Sequence, residues 1–288
     1  MLPNTPSFPP IGQPFIVLPT VDSTNNYAMA QARDGLATHG SVYFAMEQTS
    51  GKGQRGKKWI TKPGENIILS VVLQPGVLSI NHQFLLSASM SLACYDFFKK
   101  YAGDDKTRIK WPNDLYWQDR KAGGILIESV VRSQASGVGS QESGVLNQER
   151  SENIQITHPT PDYRLQTSPW QWAIVGIGIN INQSTFNQDL PNPVSLKQIT
   201  GKNHDVIELA RELCKCMENR YVALQTKTAV AISEEYTAAL YKINQPVKLK
   251  KGSAVFETTL QGVSLEGKLL TKDVLERAFD FGEVEWVG

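Results

Sequence analysis

The 288-residue chain has only three cysteines, Cys94, Cys214 and Cys216, and no C-x-x-C pair. Cys214 and Cys216 lie two apart in a predicted helix and point in different directions, so neither a zinc site nor a disulfide framework is expected. Reduced structural thiols suit a cytoplasmic protein. Net charge is nearly lacking too, at +1; this excludes a global pull toward nucleic acid or an anionic membrane, and any electropositive site must be local. Long apolar runs are missing: the longest, such as IILSVVL at 67–73, are strand-sized and far short of a membrane span. The opening MLPNTPSFPPIGQP has neither the basic region nor the apolar core of a secretory signal. Its prolines predict a disordered arm over residues 1–14.

What is present is a globular composition, 41% hydrophobic and 9% aromatic, in a length that suits one large domain and a small one. FIVL (15–18) reads as a buried strand, and Asp22 or Ser23 as the side-chain cap of a short helix, STNNYAMAQAR. SVYFAM (41–46) and IILSVVL are strands on either side of a glycine- and lysine-rich loop. Apolar spacing predicts helices over 82–101, 205–226 and about 229–241. TRIKW and DLYW flank the turn signal Pro112-Asn113, and AGGILIESVV (122–131) and QWAIVGIGINI (171–181) are two more strands. Residues 132–169 are rich in Ser, Gln, Glu, Asn and Thr. Such a composition cannot bury enough surface to offset chain entropy, so a mobile, dispensable insertion is expected there. From Pro246 onward, short alternating segments with glycine turns predict a small β-barrel. The expected organisation is a domain over 15–243 and a small one over 244–288.

The loop at 51–59, GKGQRGKKW, holds three glycines and four cations and contains G-x-G-x-x-G. It is also one residue short of a P-loop, with Lys58 where Ser or Thr should stand. Both fingerprints must open a helix, whose N-terminal amides bind the phosphate. Here WITKPGENIILSVV follows, with Pro63-Gly64 and then a strand. Both fingerprints fail on that context. A solvated basic turn and a loop that folds over a ligand phosphate remain as the two readings.

RIKWPNDLYWQDRKAGGILIE (108–128) decides between them. Lys110-Trp111-Pro112-Asn113-Asp114, followed by Lys121 and Gly123-Gly124-Ile125-Leu126, resembles the KWPND…K-x-x-GIL signature of biotin protein ligases. GKGQRGKKW is similar to their adenylate loop, Asp22-Ser23-Thr24-Asn25 to their DSTN segment, and Gly176-Ile177-Gly178-Ile179-Asn180 to their GIGIN strand. The resemblance covers roughly 15–131 and 170–288, and the motifs fall in the family's order. Two departures stand out: Gln54 where many members carry arginine, and the 132–169 segment. About 14 residues precede the first strand, so the expectation is the form without a DNA-binding domain.

The resemblance implies an α/β (α+β) fold: a class II aminoacyl-tRNA synthetase-like catalytic domain with a mixed sheet, plus an SH3-like C-terminal barrel. It implies a cytoplasmic ligase that makes biotinyl-5′-AMP from biotin and ATP, then passes biotin to a lysine of a biotin carboxyl carrier protein such as that of acetyl-CoA carboxylase. No DNA or membrane partner is expected, and a homodimer is compatible with it. Lys121 and Arg55 are the expected catalytic cations, since the first step brings a carboxylate onto a polyanion. Biotin is expected against Ser23, Thr24, Asn25, Gln48, Lys52, Gly53, Gln54, Lys121, Gly123 and Gly124. The nucleotide falls to Arg55, Trp59, Lys110, Asn113 and Asn180, with Mg²⁺ arriving on ATP and Asp114 as its ligand. A lipoate or octanoyl transferase shares the general fold, but the KWPND stretch and the GKGQRG loop speak against it. A nucleic-acid binder lacks the basic surface pattern.

Overall fold

A computed structural model describes residues 8–76, 78, 82–103, 105–131, 170–187, 190 and 192–287; the expected insertion at 132–169 and residues 1–7 lie outside them. Strand β1 (Phe15–Leu18) leads to helix α1 (Thr24–Arg33) and β2 (Val42–Ala45). The glycine loop, with a 3-10 turn at Gln54–Gly56, precedes β3 (Asn66–Leu73). Next come α2 (Gln83–Ala102), the hairpin β4 (Thr107–Lys110) and β5 (Asp114–Trp117), then β6 (Arg120–Val131) and β7 (Trp170–Asn180). Three helices follow: α3 (Leu196–Thr200), α4 (Val206–Thr226) and α5 (Ala229–Ala238).

These seven strands form a mixed sheet ordered β1-β2-β3-β7-β6-β5-β4, in which only β1 and β2 are parallel. Strands β8 (Pro246–Lys251), β9 (Ala254–Val263), β10 (Leu269–Lys272), β11 (Glu276–Phe279) and β12 (Glu285–Trp286) make a second, antiparallel sheet ordered β11-β10-β9-β8-β12. Among the described residues no helix is long and apolar enough to cross a membrane.

Two cores explain the layering. One face of the large sheet, with Ile67, Leu69, Val71, Val175, Ile177 and Ile179, joins α2, α4, α5 and the second sheet in one continuous cluster. The other face packs Tyr43, Val72, Val130 and Ile174 against Ala28 and Ala32 of α1. With both faces covered, β3 is buried at all eight positions, as its unbroken apolar run requires. The central residues of β6 and β7 alternate between the main helical core and the narrower layer that holds α1.

Three expectations change. β1 is an exposed edge, with Ile16 and Val17 about two-fifths accessible, because among the described residues no strand pairs its outer side. Ser23 is the N-cap of α1 but its side chain accepts no cap bond; the Thr24 amide is instead satisfied by Gln48 Oε1 at 2.7 Å. Residues 8–14 are packed rather than free: Ile11 is buried and its amide donates to Glu218 Oε2 at 2.7 Å.

Phe8 and Tyr221 sandwich the buried His39 at ring distances of 4.7 and 4.6 Å, and His39 Nδ1 accepts from the Gln74 amide at 3.1 Å. Burial lowers its pKa to about 4. The unfolded chain binds this proton at higher pH than the folded one, so stability is fully present above the ordinary histidine range and is lost as pH falls toward 4. Calorimetry should show up to about 3 kcal/mol of destabilisation between pH 7 and 4.5 from this group. His39→Asn, which keeps an acceptor, should flatten that slope.

Candidate functional site

The site lies on the α1 face of the sheet, where glycines on β6 and β7 leave a shallow floor. Gly124 pairs with Gly178, and Leu126 with Gly176, so these four residues point the same way. At Gly178 a Cβ would meet the Trp59 ring at 2.5 Å; at Gly176 it would meet Asn25 Oδ1 at 2.2 Å. Glycine is required at both positions because Trp59 and Asn25 lie directly on the strand.

The glycine loop closes over this floor as a short hairpin. Trp59 N donates to Gly51 O at 2.9 Å and Gly53 N to Lys57 O at 2.7 Å, with Lys52 bridging Lys58. Gly51 has no room for a side chain, since Trp59 O stands 2.3 Å from its Cβ position. At the tip Arg55 is left-handed, at φ 55°. Gln54 Nε2 rests on Ile125 O at 3.4 Å, and Lys52 Nζ reaches Glu128 at 3.6 Å, so the hairpin touches β6 twice.

One end of the floor is polar and buried. Gln48 Oε1 accepts from Thr24 N and from Thr24 Oγ1 at 3.1 Å; Ser70 Oγ lies 2.8 Å from Thr24 Oγ1 and 2.5 Å from Asn25 Oδ1. Asn25 Nδ2 donates to Glu128 Oε2 at 2.8 Å. Ser23, Thr24, Asn25 and Ser70 are all nearly inaccessible. At the other end Lys121 Nζ is held by Asp114 Oδ1 at 2.6 Å, 6.0 Å from the Trp59 ring centre. The same ammonium stands 3.6 Å from the Cβ position of Gly124. An apolar floor thus joins a hydrogen-bonding pocket to a cation, which is what a neutral polar ring carrying an anionic tail requires.

The structure brings together Ser23, Thr24, Asn25, Gln48, Lys52, Gly53, Gln54, Trp59, Lys121 and Gly124. Five other expectations change. Gly123 belongs to the opposite face, where Gly178 O and Ile179 fill its Cβ position. Asn180 spends its amide on Val194 O at 3.1 Å and Lys121 O at 3.5 Å, bracing the chain behind the cation. Lys110 Nζ sits among Tyr116, Tyr241 and Trp286, 4.9, 6.0 and 4.9 Å from their ring centres. Burial holds its pKa below the ordinary lysine range, while the ring faces attract the ammonium and hold the side chain in place. The Arg55 guanidinium lies against the second sheet, 3.5 Å from the Cβ position of Gly282. Asp114 is the partner of Lys121, and no three His, Cys, Asp or Glu residues converge among the described residues.

Asn113 is buried and braced against β6. Its Nδ2 donates to Ile125 O, while its Oδ1, like Trp59 Nε1, is buried with no hydrogen-bond partner. A buried polar atom without a partner costs free energy. Ser70 and Glu128 were missed from the sequence. The signal was a polar residue at alternate positions of an otherwise apolar strand.

Residues 17–140 match the Biotin/lipoate A/B protein ligase family. The chain is 28% identical over 258 residues to the bifunctional ligase/repressor BirA of Escherichia coli, covering 88% of this chain and 68% of that one. It is 27% identical to the biotin--[acetyl-CoA-carboxylase] ligase of Paracoccus denitrificans, over 89% of this chain and 93% of that one. Its fold is similar to that of a biotin protein ligase from Aquifex aeolicus solved with biotin and ATP. That match has a TM-score of 0.69 at 22% identity, over 94% of this chain and 97% of the other.

Proposed function

We propose that this chain, a member of the biotin/lipoate A/B protein ligase family, is a biotin protein ligase that forms biotinyl-5′-AMP from biotin and ATP and transfers biotin to a carrier-protein lysine. The observation that carries the reading is the spacing of unlike chemistry on one glycine floor: the Thr24–Asn25–Gln48 pocket at one end and the Lys121 ammonium at the other. A cyclic urea has two N–H donors and one carbonyl, which the buried hydroxyls and amides of that pocket match. A pocket built to pair each polar edge rejects analogues lacking one, because its own buried groups would be left unsatisfied.

The carboxylate tail then runs along Gly124 and Gly178 to Lys121. There it meets the α-phosphate of ATP; the carboxylate oxygen attacks phosphorus, the P–O bond to pyrophosphate breaks, and the mixed anhydride forms. Lys121 neutralises two anions as they approach and Asp114 keeps its ammonium in place. Trp59 offers an apolar wall and the unpartnered Asn113 Oδ1 an acceptor for the nucleotide base. In the second step the acceptor amine attacks the acyl carbon and AMP leaves. The hairpin at 51–59 shields the anhydride from water in the interval.

The test is incubation with biotin, Mg-ATP and a biotin carboxyl carrier domain, read by intact mass. The expected product is carrier heavier by one biotinyl group, dependent on ATP. Octanoyl or lipoyl transfer with no biotinylation would overturn the reading in favour of the related transferases.

A further inference from the structure

We infer that Glu128 is a positioning residue that fixes the sense of the hydrogen-bond chain in the polar pocket; the inference rests on that pocket taking biotin. Glu128 lies on β6, two residues beyond the K-x-x-GIL motif, with its side chain about a quarter exposed. One carboxylate oxygen accepts from Asn25 Nδ2 at 2.8 Å and the other faces Lys52 Nζ at 3.6 Å. A carboxylate only accepts. Asn25 must therefore turn its NH₂ toward Glu128 and its carbonyl toward Ser70, which stands 2.5 Å away. That commits the single Ser70 hydroxyl proton to Asn25. The Thr24 hydroxyl proton then fills the 2.8 Å contact to Ser70 Oγ, and Gln48 Oε1 keeps the Thr24 amide.

Without the carboxylate only the long 3.5 Å bond from Asn25 Nδ2 to Leu126 O opposes a second arrangement. Asn25 turns over and donates to Ser70, Ser70 donates to Thr24, and Thr24 donates to Gln48, as the 2.8 Å contact between Ser70 and Thr24 allows. The two arrangements differ in which lone pairs face the floor. Glu128 selects one, and so presets the pocket for a single pattern of ligand donors and acceptors. Preset polar groups avoid reorganisation on binding.

Inverting the pair tests this. Biotin dissociation constants and biotin KM are measured at pH 8 for wild type, Glu128→Gln, Asn25→Asp and the double variant. Glu128→Gln should weaken biotin about tenfold, with kcat and the KM for ATP nearly unchanged. Asn25→Asp alone sets two carboxylates face to face and should weaken it by more than about a hundredfold. The loss should shrink as pH falls and the two share a proton. In the double variant the new carboxylate accepts from both Ser70 and the new amide, restoring the native sense. It should bind biotin within about tenfold of wild type, not with the roughly thousandfold loss that independent effects would give. Multiplying losses in the double variant would overturn the inference alone. A wild-type protein that does not bind biotin would overturn the functional reading and this inference with it.

Discussion

Replacing Lys121 with alanine slows biotin-dependent ATP–pyrophosphate exchange by about a hundredfold or more, while the KM for ATP changes far less. The asymmetry follows from where the cation stands. Lys121 Nζ is held 2.6 Å from Asp114 and lies over Gly124, where the proposed reaction brings the substrate tail and the phosphate together. Its charge counts most when two anions share one transition state, and a preorganised donor there contributes about 3–4 kcal/mol. The Lys121–Asp114 pair is roughly one-third exposed on each side, so the pair itself adds little to stability and Lys121→Ala should fold normally. Lys121→Arg should recover little, because a planar fork cannot place its charge at the same point. Transfer from chemically made biotinyl-5′-AMP separates the two steps. Poor exchange with normal transfer confines Lys121 to activation; normal exchange removes it from the mechanism.

The site was legible where its chemistry is carried by contiguous motifs and obscure where it depends on which face a residue takes. Thr24-Asn25, the glycine hairpin and Lys121 stand in runs whose residue types announce polar recognition and phosphate. Neighbours within those runs need not share their task. Gly123 and Gly124 are adjacent, yet strand alternation sends them to opposite faces and only Gly124 reaches the floor. Lys110 and Lys121 both look like phosphate cations in sequence. Only the packing of β12 reveals that Trp286 claims the first, since a contact 176 residues away has no local signature. β1 reads as buried because FIVL is apolar; its exposure is a consequence of sheet order, which composition does not encode. The helices were easier. α2 and α4 match their apolar spacing closely, and Asp205 caps α4 through Ile207 and Glu208.

Gly176→Ala should be damaging although it adds a single methyl. In an ordinary strand, exchanging glycine for alanine stabilises by about 0.4–1 kcal/mol through the unfolded chain. Here the added carbon would stand 2.2 Å from Asn25 Oδ1 and 2.9 Å from its Cγ. Asn25 cannot yield without breaking its bonds to Ser70 and Glu128, and a flexible chain end is not what blocks the way. Overpacking of this kind costs about 1–3 kcal/mol, which outweighs the entropic gain. Thermal unfolding should therefore fall by several degrees instead of rising. The larger effect is on binding: to clear the methyl, Asn25 must shift by about an ångström, which at a recognition group is worth about a hundredfold. Biotin KM should rise by that factor. The Lys121 end should be spared, so transfer from preformed adenylate at saturating concentration should stay close to normal. Substituting Asn25 with alanine as well opens the space again and restores part of the melting temperature without restoring biotin affinity. Recovery of both would mean that Asn25 only fills space; recovery of stability alone shows that its amide is what recognises the ligand.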